Sequence, residues 1–309
     1  MYLNKNHDAI SYVLITPARN EERNIERTIQ SVICQTILPR KWVIVSDGST
    51  DRTDEIVKHH LEGNPWIELV RMPERRDRTF AAKVYCFNAG YERVRDIPFE
   101  VVGNLDADIS FDSDYIEFLM DKFAQIQDLG VAGTPFVENG YSSLKDSFEG
   151  EKHVAGGIQL FRKACFEEID GYTPNKAGGI DWIAVTTARM KGWKTQSFKE
   201  KYFHHHRTLG TGGSNWVGAL FNYGRKDYYL GGHPLWEIFR VMYRTAKKPY
   251  VIGSAATLSG YVWEWLSRKP RAVSNELMQF HREEQMQKLE AILSRIVRLQ
   301  KVDKFKISS

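Results

Sequence analysis

Two aspartates one residue apart, Asp106 and Asp108, stand where an apolar run ends in EVVGNLDAD at 100–108. Carboxylates spaced in this way at a strand end can be turned by the local bend toward one ligand. Hard divalent ions such as Mg²⁺ or Mn²⁺ take such oxygens and bridge phosphates. An acidic strand end that caps a helix near residue 112 would carry the same residues. Three consecutive histidines, His204, His205 and His206, precede Arg207. In extended chain alternate side chains face opposite ways, so His204 and His206 can share a face and all three cannot meet one ion.

Other polar clusters follow short apolar runs: TPARNEE at 16–22 and SDGSTD at 46–51. The elements that position them alternate in type. Strand-like runs at Tyr12–Thr16, Trp42–Ser46, Ile67–Arg71, Glu100–Leu105 and Val131–Val137 are separated by helical patterns at Asn24–Gln35, Thr53–Leu61, Phe80–Val94 and Asp112–Leu129. Asp112 or Ser113 is the expected N-cap of the last of these. Strand–helix alternation of this kind predicts an α/β fold with a mostly parallel sheet flanked by helices. Ligands of such sheets bind beyond the carboxyl ends of the strands, where the three polar clusters fall. Carboxylates and small polar residues gathered there suit a nucleotide with a metal.

The paired segments TPARNEERNIERTIQSVICQT and WVIVSDGSTDRTDEIV closely resemble the opening of glycosyltransferase family 2, over roughly residues 10–200. The resemblance implies the GT-A fold and a sugar transfer from a nucleoside-diphosphate donor, UDP- or GDP-linked, to an acceptor hydroxyl with inversion. By similarity, Pro17, Ala18, Asn20 and Glu22 would line the nucleotide pocket, and Asp47 would accept a hydrogen bond from the base. Lys83, with Arg78 behind it, is the expected diphosphate contact in RRDRTFAAKVYCFNAG. Asp108 would ligate Mn²⁺ or Mg²⁺, with Asp106 nearer the ribose or a metal-bound water.

GGIDWIAVTTARMKGWK at 178–194 resembles the segment that supplies the general base, which makes Asp181 the base. Many members carry Glu-Asp there, whereas this chain has Ile180-Asp181. A carboxylate at a helix start also suits the helix dipole. Gly156 and Gly157 would permit close backbone approach on the acceptor side, and Trp182 would stack on a sugar or enter the core. Some GT-A enzymes add a histidine to the metal shell, which makes His204 and His206 candidates, with Arg207 neutralising diphosphate. The Gly-rich run Thr208–Ser214 is the expected loop over the donor.

A nucleotidyltransferase of similar architecture would open on a Gly-rich, basic phosphate loop, and TPARNEE is not one. A non-catalytic nucleotide-sugar scaffold is the remaining alternative. The expected domain spans 1–235, with a nucleotide half at 10–110 and an acceptor half at 111–235, followed by a helical extension at 236–309. Residues 240–309 hold 14 Lys and Arg against 6 Asp and Glu, although the whole chain is only +4. With aromatic FNYGRKDYYLGGHPLW at 221–236 and apolar VIGSAATLSGYVWEWL at 251–266, a peripheral contact with an anionic membrane is one reading and a packed helical extension the other.

No recognised nucleic-acid module accompanies these basic residues, so nucleic acid is not an expected partner. The acceptor expected from the family is a glycan or a lipid-linked glycan of the cell envelope. Three scattered cysteines, Cys34, Cys86 and Cys165, and no leader-like N-terminus predict a cytoplasmic protein, at the inner membrane face if the extension docks there.

Overall fold

The computed structural model describes residues 10–74, 80–138, 140–146, 150–175, 178–207, 216–245 and 250–298. Its chain divides into two compact units, with residues 208–309 and two short segments, 147–150 and 175–179, in the second.

The first unit is built on a seven-stranded sheet. Its parallel core contains β1 (Tyr12–Ala18), β2 (Lys41–Asp47), β3 (Ile67–Met72) and β4 (Val101–Leu105). A smaller sheet is formed by β5 (Ile109–Ser110), β7 (Phe136–Glu138), β8 (Tyr141–Ser142) and β11 (Phe203–His205). The large sheet is completed by β6 (Leu129–Gly133), β9 (Ile158–Arg162) and β10 (Lys194–Ser197). Its order is β10-β6-β9-β4-β1-β2-β3, and β9 runs antiparallel to both neighbours.

Helices α1 (Ile25–Ile33), α2 (Thr53–His59), α3 (Phe80–Tyr91), α4 (Tyr115–Gln125), α5 (Ser143–Asp146), α6 (Lys163–Glu168) and α7 (Ile180–Met190) connect these strands. The strand residues are apolar on both faces because helices cover both. Leu14, Trp42 and Ile44 join Ile29, Ile116 and Leu119 on one side, while Val13, Ile15, Val43 and Val45 join Val84, Phe87 and Val185 on the other.

Two expected boundaries moved. The helix expected over Asp112–Leu129 is confined to Tyr115–Gln125, because Ile126 is extended and Leu129 already begins β6. Neither Asp112 nor Ser113 caps it; Asp114 occupies the cap position and makes no capping bond. The cap comes from elsewhere: Gln35 Oε1 accepts the Ile116 N–H at 2.9 Å, and its Nε2 donates to the Asp112 carbonyl at 2.8 Å. The strand expected over Val131–Val137 breaks at Thr134-Pro135 into β6 and β7, which belong to different sheets. Proline has no N–H for a ladder, so the chain changes sheets there.

The second unit holds α8 (Trp216–Tyr229), α9 (Pro234–Thr245), α10 (Tyr250–Leu266) and α11 (Asn275–Val297). Helix α8 packs mainly against α10, so residues 216–229 belong with the C-terminal helices. Ser274 caps α11 by accepting the Leu277 N–H at 3.1 Å.

Candidate active site

The first two polar clusters are zipped together at the ends of β1 and β2. Asn20 adopts a left-handed conformation (φ 54°) and accepts the Thr50 N–H on its Oδ1 at 2.9 Å. The Glu21 N–H donates to Thr53 Oγ1 at 2.7 Å, and Glu22 Oε2 accepts the Arg52 N–H at 3.2 Å. Asn20 and Glu22, expected to line the nucleotide pocket, brace one loop against the other. Asp47 is buried at the end of β2 and accepts from Arg19 Nη1 at 3.3 Å. Gly48 beside it is left-handed, and a Cβ there would meet the Glu74 backbone at 2.5 Å. Pro17 and Ala18 form the last residues of β1, with Ala18 buried.

The end of β4 carries the acidic pair. Ligand atoms of Asp106, Asp108 and His205 all lie within 4.8 Å of one another. His205 Nε2 stands 3.6 Å from Asp108 Oδ1, and its Nδ1 lies 3.8 Å from Glu138 Oε2. Nδ1 also bonds the Arg207 carbonyl. A carbonyl only accepts, so Nδ1 carries a proton, which leaves Nε2 as the ring nitrogen that can ligate a cation beside the aspartates. Two carboxylate oxygens and an imidazole nitrogen form a donor set that suits Mn²⁺ or Mg²⁺. Crowding is visible in the protonation of Asp108. Burial, then the charges of Asp106 and Glu21, push its carboxyl up to about 6 against the pull of His205 and Lys83. A cation between the carboxylates would relieve that repulsion.

His204 and His206, the pair expected to share the metal face, are both placed elsewhere. Phe203 is buried with its ring over Gly157, where a Cβ would meet it at 2.7 Å. Strand alternation then turns His205 inward with Phe203 and His204 outward, beside Tyr202. His206 bonds Ser110 Oγ at 2.7 Å, and burial and nearby cations hold its imidazole below its ordinary range. Arg207 Nη1 bonds Glu21 Oε1 at 2.7 Å.

Lys83, from α3, forms an ion pair with Asp106. Burial alone would lower its pKa, but Asp106, Asp181 and Asp108 outweigh burial and leave it raised, so the ammonium stays charged. Lys83, Asn104, Gly156, Gln159, Tyr172 and Asp181 line one recess, with Val84, Phe87 and Ile180 as its apolar wall. Asp181 lies in the first turn of α7. Gly156 makes room for it, since a Cβ there would sit 2.7 Å from Asp181 Oδ2.

Three side chains the sequence reading left out frame this recess. Gln159 is fully buried and donates to the Val154 carbonyl at 2.9 Å and the Asp181 carbonyl at 3.4 Å. Its Oε1 accepts from Tyr172 Oη at 2.8 Å. Burial, with the charges of Asp181 and Asp106 behind it, raises the Tyr172 phenol well above its ordinary range and keeps it a donor. Asn104 donates to the Gly156 carbonyl at 3.1 Å. The available signal was a glutamine, Gln159, two residues after the Gly156-Gly157 pair in an otherwise apolar run. Trp182 is buried in α7. Arg78 and the Thr208–Ser214 loop lie outside the described residues.

Residues 13–185 match the Glycosyl transferase family 2 model. The chain belongs to that family. The chain is 24% identical over 221 residues to the poly-beta-1,6-N-acetyl-D-glucosamine synthase of Staphylococcus epidermidis, across 65% of this chain and 49% of the relative. The synthase of Staphylococcus aureus strain COL is 29% identical over 172 residues, across 50% of this chain and 39% of the relative. The chain therefore spans about half, or less, of the length of the curated relatives it matches.

Among solved structures, a mannosyltransferase from Pyrobaculum calidifontis in complex with GDP-Man and Mn²⁺ superposes with a TM-score of 0.54. It is 18% identical, with 95% of this chain and 76% of that one covered. S. aureus TarS 1–349 in complex with UDP gives 0.55 at 13% identity, with 96% and 89% covered. These likenesses establish the GT-A fold.

Proposed function

We propose that the protein transfers a sugar from a nucleoside-diphosphate sugar to a glycan or lipid-linked acceptor hydroxyl in cell-envelope polysaccharide or glycolipid synthesis, with inversion at the anomeric carbon. The observation that carries this reading is the meeting of an Asp106–Asp108–His205 cluster with Asp181 around the charged Lys83. Neighbours of the same fold are complexed with UDP, UDP-GlcNAc and GDP-Man, which supports a UDP- or GDP-linked donor.

Asp106, Asp108 and His205 would hold a divalent cation, which would supply Lewis-acid charge to the departing diphosphate. Asp181 accepts the acceptor hydroxyl's proton as that oxygen bonds the anomeric carbon and the bond to the diphosphate oxygen breaks. A single displacement of this kind inverts the centre. Lys83 contributes positive charge beside the carboxylates, suited to an anionic donor. Gln159 and Gly156 hold the start of α7 so that the Asp181 carboxylate keeps its place in the recess. Asp47 at the end of β2 is the group for a base N–H, once its bond with Arg19 is exchanged.

Calorimetric titration with UDP and GDP, with and without Mn²⁺, tests this on wild type and Asp108→Ala. Metal-dependent binding of one nucleotide, lost in the variant, is the expected result. A folded protein that binds neither nucleotide in any metal condition would overturn it.

A further inference from the structure

Helix α10 is built inside out. Its buried residues are Gly253, Ser254, Thr257, Gly260, Tyr261 and Glu264, five of them small or polar with Tyr261 the only aromatic. Its outward residues include Val251, Ile252, Trp263, Trp265 and Leu266, each between 58% and 68% exposed. Ile252, Ala255, Ser259, Trp263 and Leu266 follow one another at helical spacing, so the exposure forms one stripe along the helix. Helix α9 shares the outward half of this pattern: Leu235, Ile238 and Met242 stand outward at the same spacing, while Trp236 and Glu237 are buried. A helix that faces only water has the opposite arrangement.

The inward face explains how such a helix is held. Gly224 of α8 lies against the Thr257 carbonyl of α10, and Gly260 of α10 against the Phe221 carbonyl of α8, so closely that no Cβ fits at either glycine. Arg225 and Glu264 pair across the same contact. Packing through glycine, small hydroxyl residues and a polar pair, with aliphatic and aromatic groups outside, is how helices associate in an apolar solvent.

No helix among the described residues is long and apolar enough to cross a membrane. Helix α10 has 17 residues. At about 1.5 Å each this falls short of a roughly 30 Å hydrocarbon core. The stripe closes on Trp263 and Leu266, and the exposed Trp265 at the helix end is followed by the exposed Arg268 and Lys269; indole rings beside basic groups are the side chains of the headgroup layer. Residues 240–309 carry 14 Lys and Arg against 6 Asp and Glu, which complements a negative surface.

We propose that the outward face of α9 and α10 seats in the headgroup layer of an anionic lipid bilayer, with α10 lying along the surface. The proposal is independent of sugar transfer. Flotation of the full chain with vesicles of phosphatidylcholine alone, or with roughly one third phosphatidylglycerol, tests it. The chain is expected to float with the anionic vesicles and to partition at least about tenfold more weakly into the neutral ones. An Ile252→Ser, Trp263→Ser, Leu266→Ser variant is expected to lose at least about tenfold in partition with its thermal unfolding unchanged. Arg268→Glu with Lys269→Glu is expected to lose a comparable factor at low salt, with the difference from wild type shrinking as salt is raised, whereas the loss in the apolar variant persists. Failure of the wild type to float, or equal flotation by the apolar variant, would overturn the proposal. Self-association without flotation, abolished in the apolar variant, would instead assign the face to a second copy of the chain.

Discussion

The sheet unit and the helical unit differ in what they leave outside. In the first, Trp42 and the β-branched residues of β1 and β2 are wholly enclosed, and the polar groups gather at strand ends where their bonds are made. In the second, Glu264, Glu237, Ser254 and Thr257 are enclosed beside Tyr228, Leu230, Trp236, Tyr261, Leu277 and Ile292, while two tryptophans and a row of aliphatics face outward. The sheet unit draws its stability from apolar area removed from water. The helical unit relies on close backbone approach and on buried charge pairs, which are costly unless fully satisfied. Composition alone would not separate them, because both are rich in aromatic residues.

The widest separation is expected in catalysis. Asp181→Asn should lower the turnover number by about 10²- to 10⁴-fold while nucleotide binding persists. Trp263→Ser should leave transfer to a water-soluble acceptor unchanged, and steady-state kinetics on both variants checks the contrast. Stability should divide the units as clearly. Trp42→Ala should cost about 3–5 kcal/mol in denaturant unfolding, and Trp263→Ser no more than about 0.5 kcal/mol. Equal costs would show that the outward face of α10 is covered within the chain itself.

A finer test lies in the histidine run. His205→Ala should weaken Mn²⁺ binding by about 10- to 100-fold, as followed by titration, whereas His204→Ala should leave it near wild type. Equal losses would mean that β11 does not hold the alternation seen here.

The smallest effect concerns the buried charges of the helical unit. Burial first, then the Asp227 charge, raises the Glu237 carboxyl to about 7 against Arg240 and Arg244. A carboxyl raised in the folded state adds stability below its ordinary value of 4.5 and loses it as pH climbs through about 7. The thermal midpoint of this unit should therefore fall modestly between about pH 5 and about pH 8, and Glu237→Gln should flatten the fall.

Local signals were enough for the α/β order, the ends of β1, β2 and β4, and the family that their polar clusters carry. Strands and helices announce themselves through periods of about 2 and 3.6 residues, and chemistry-bearing residues at strand ends are read from the same windows. Asp106 and Asp108 stood out at a strand end and the family resemblance pointed to Lys83, Gly156 and Asp181; the fold lines one recess with Lys83, Gly156 and Asp181 and groups Asp106 and Asp108 with His205.

Partnerships between distant segments were decided by tertiary structure. The parity of His204–His206 depends on which face of β11 is buried, and Phe203 against Gly157 settles that from 46 residues away in sequence. Helix α4 takes its cap from Gln35 on another helix's end, so its start could not be read from its own residues. Asn20 and Glu22 became braces because the β2 loop lies within reach of their oxygens. Helix α10 turned its apolar side outward because two glycines let α8 approach its polar side more closely than any larger residue would allow. Periodicity records that a helix has an apolar face; what that face meets is set by the rest of the chain.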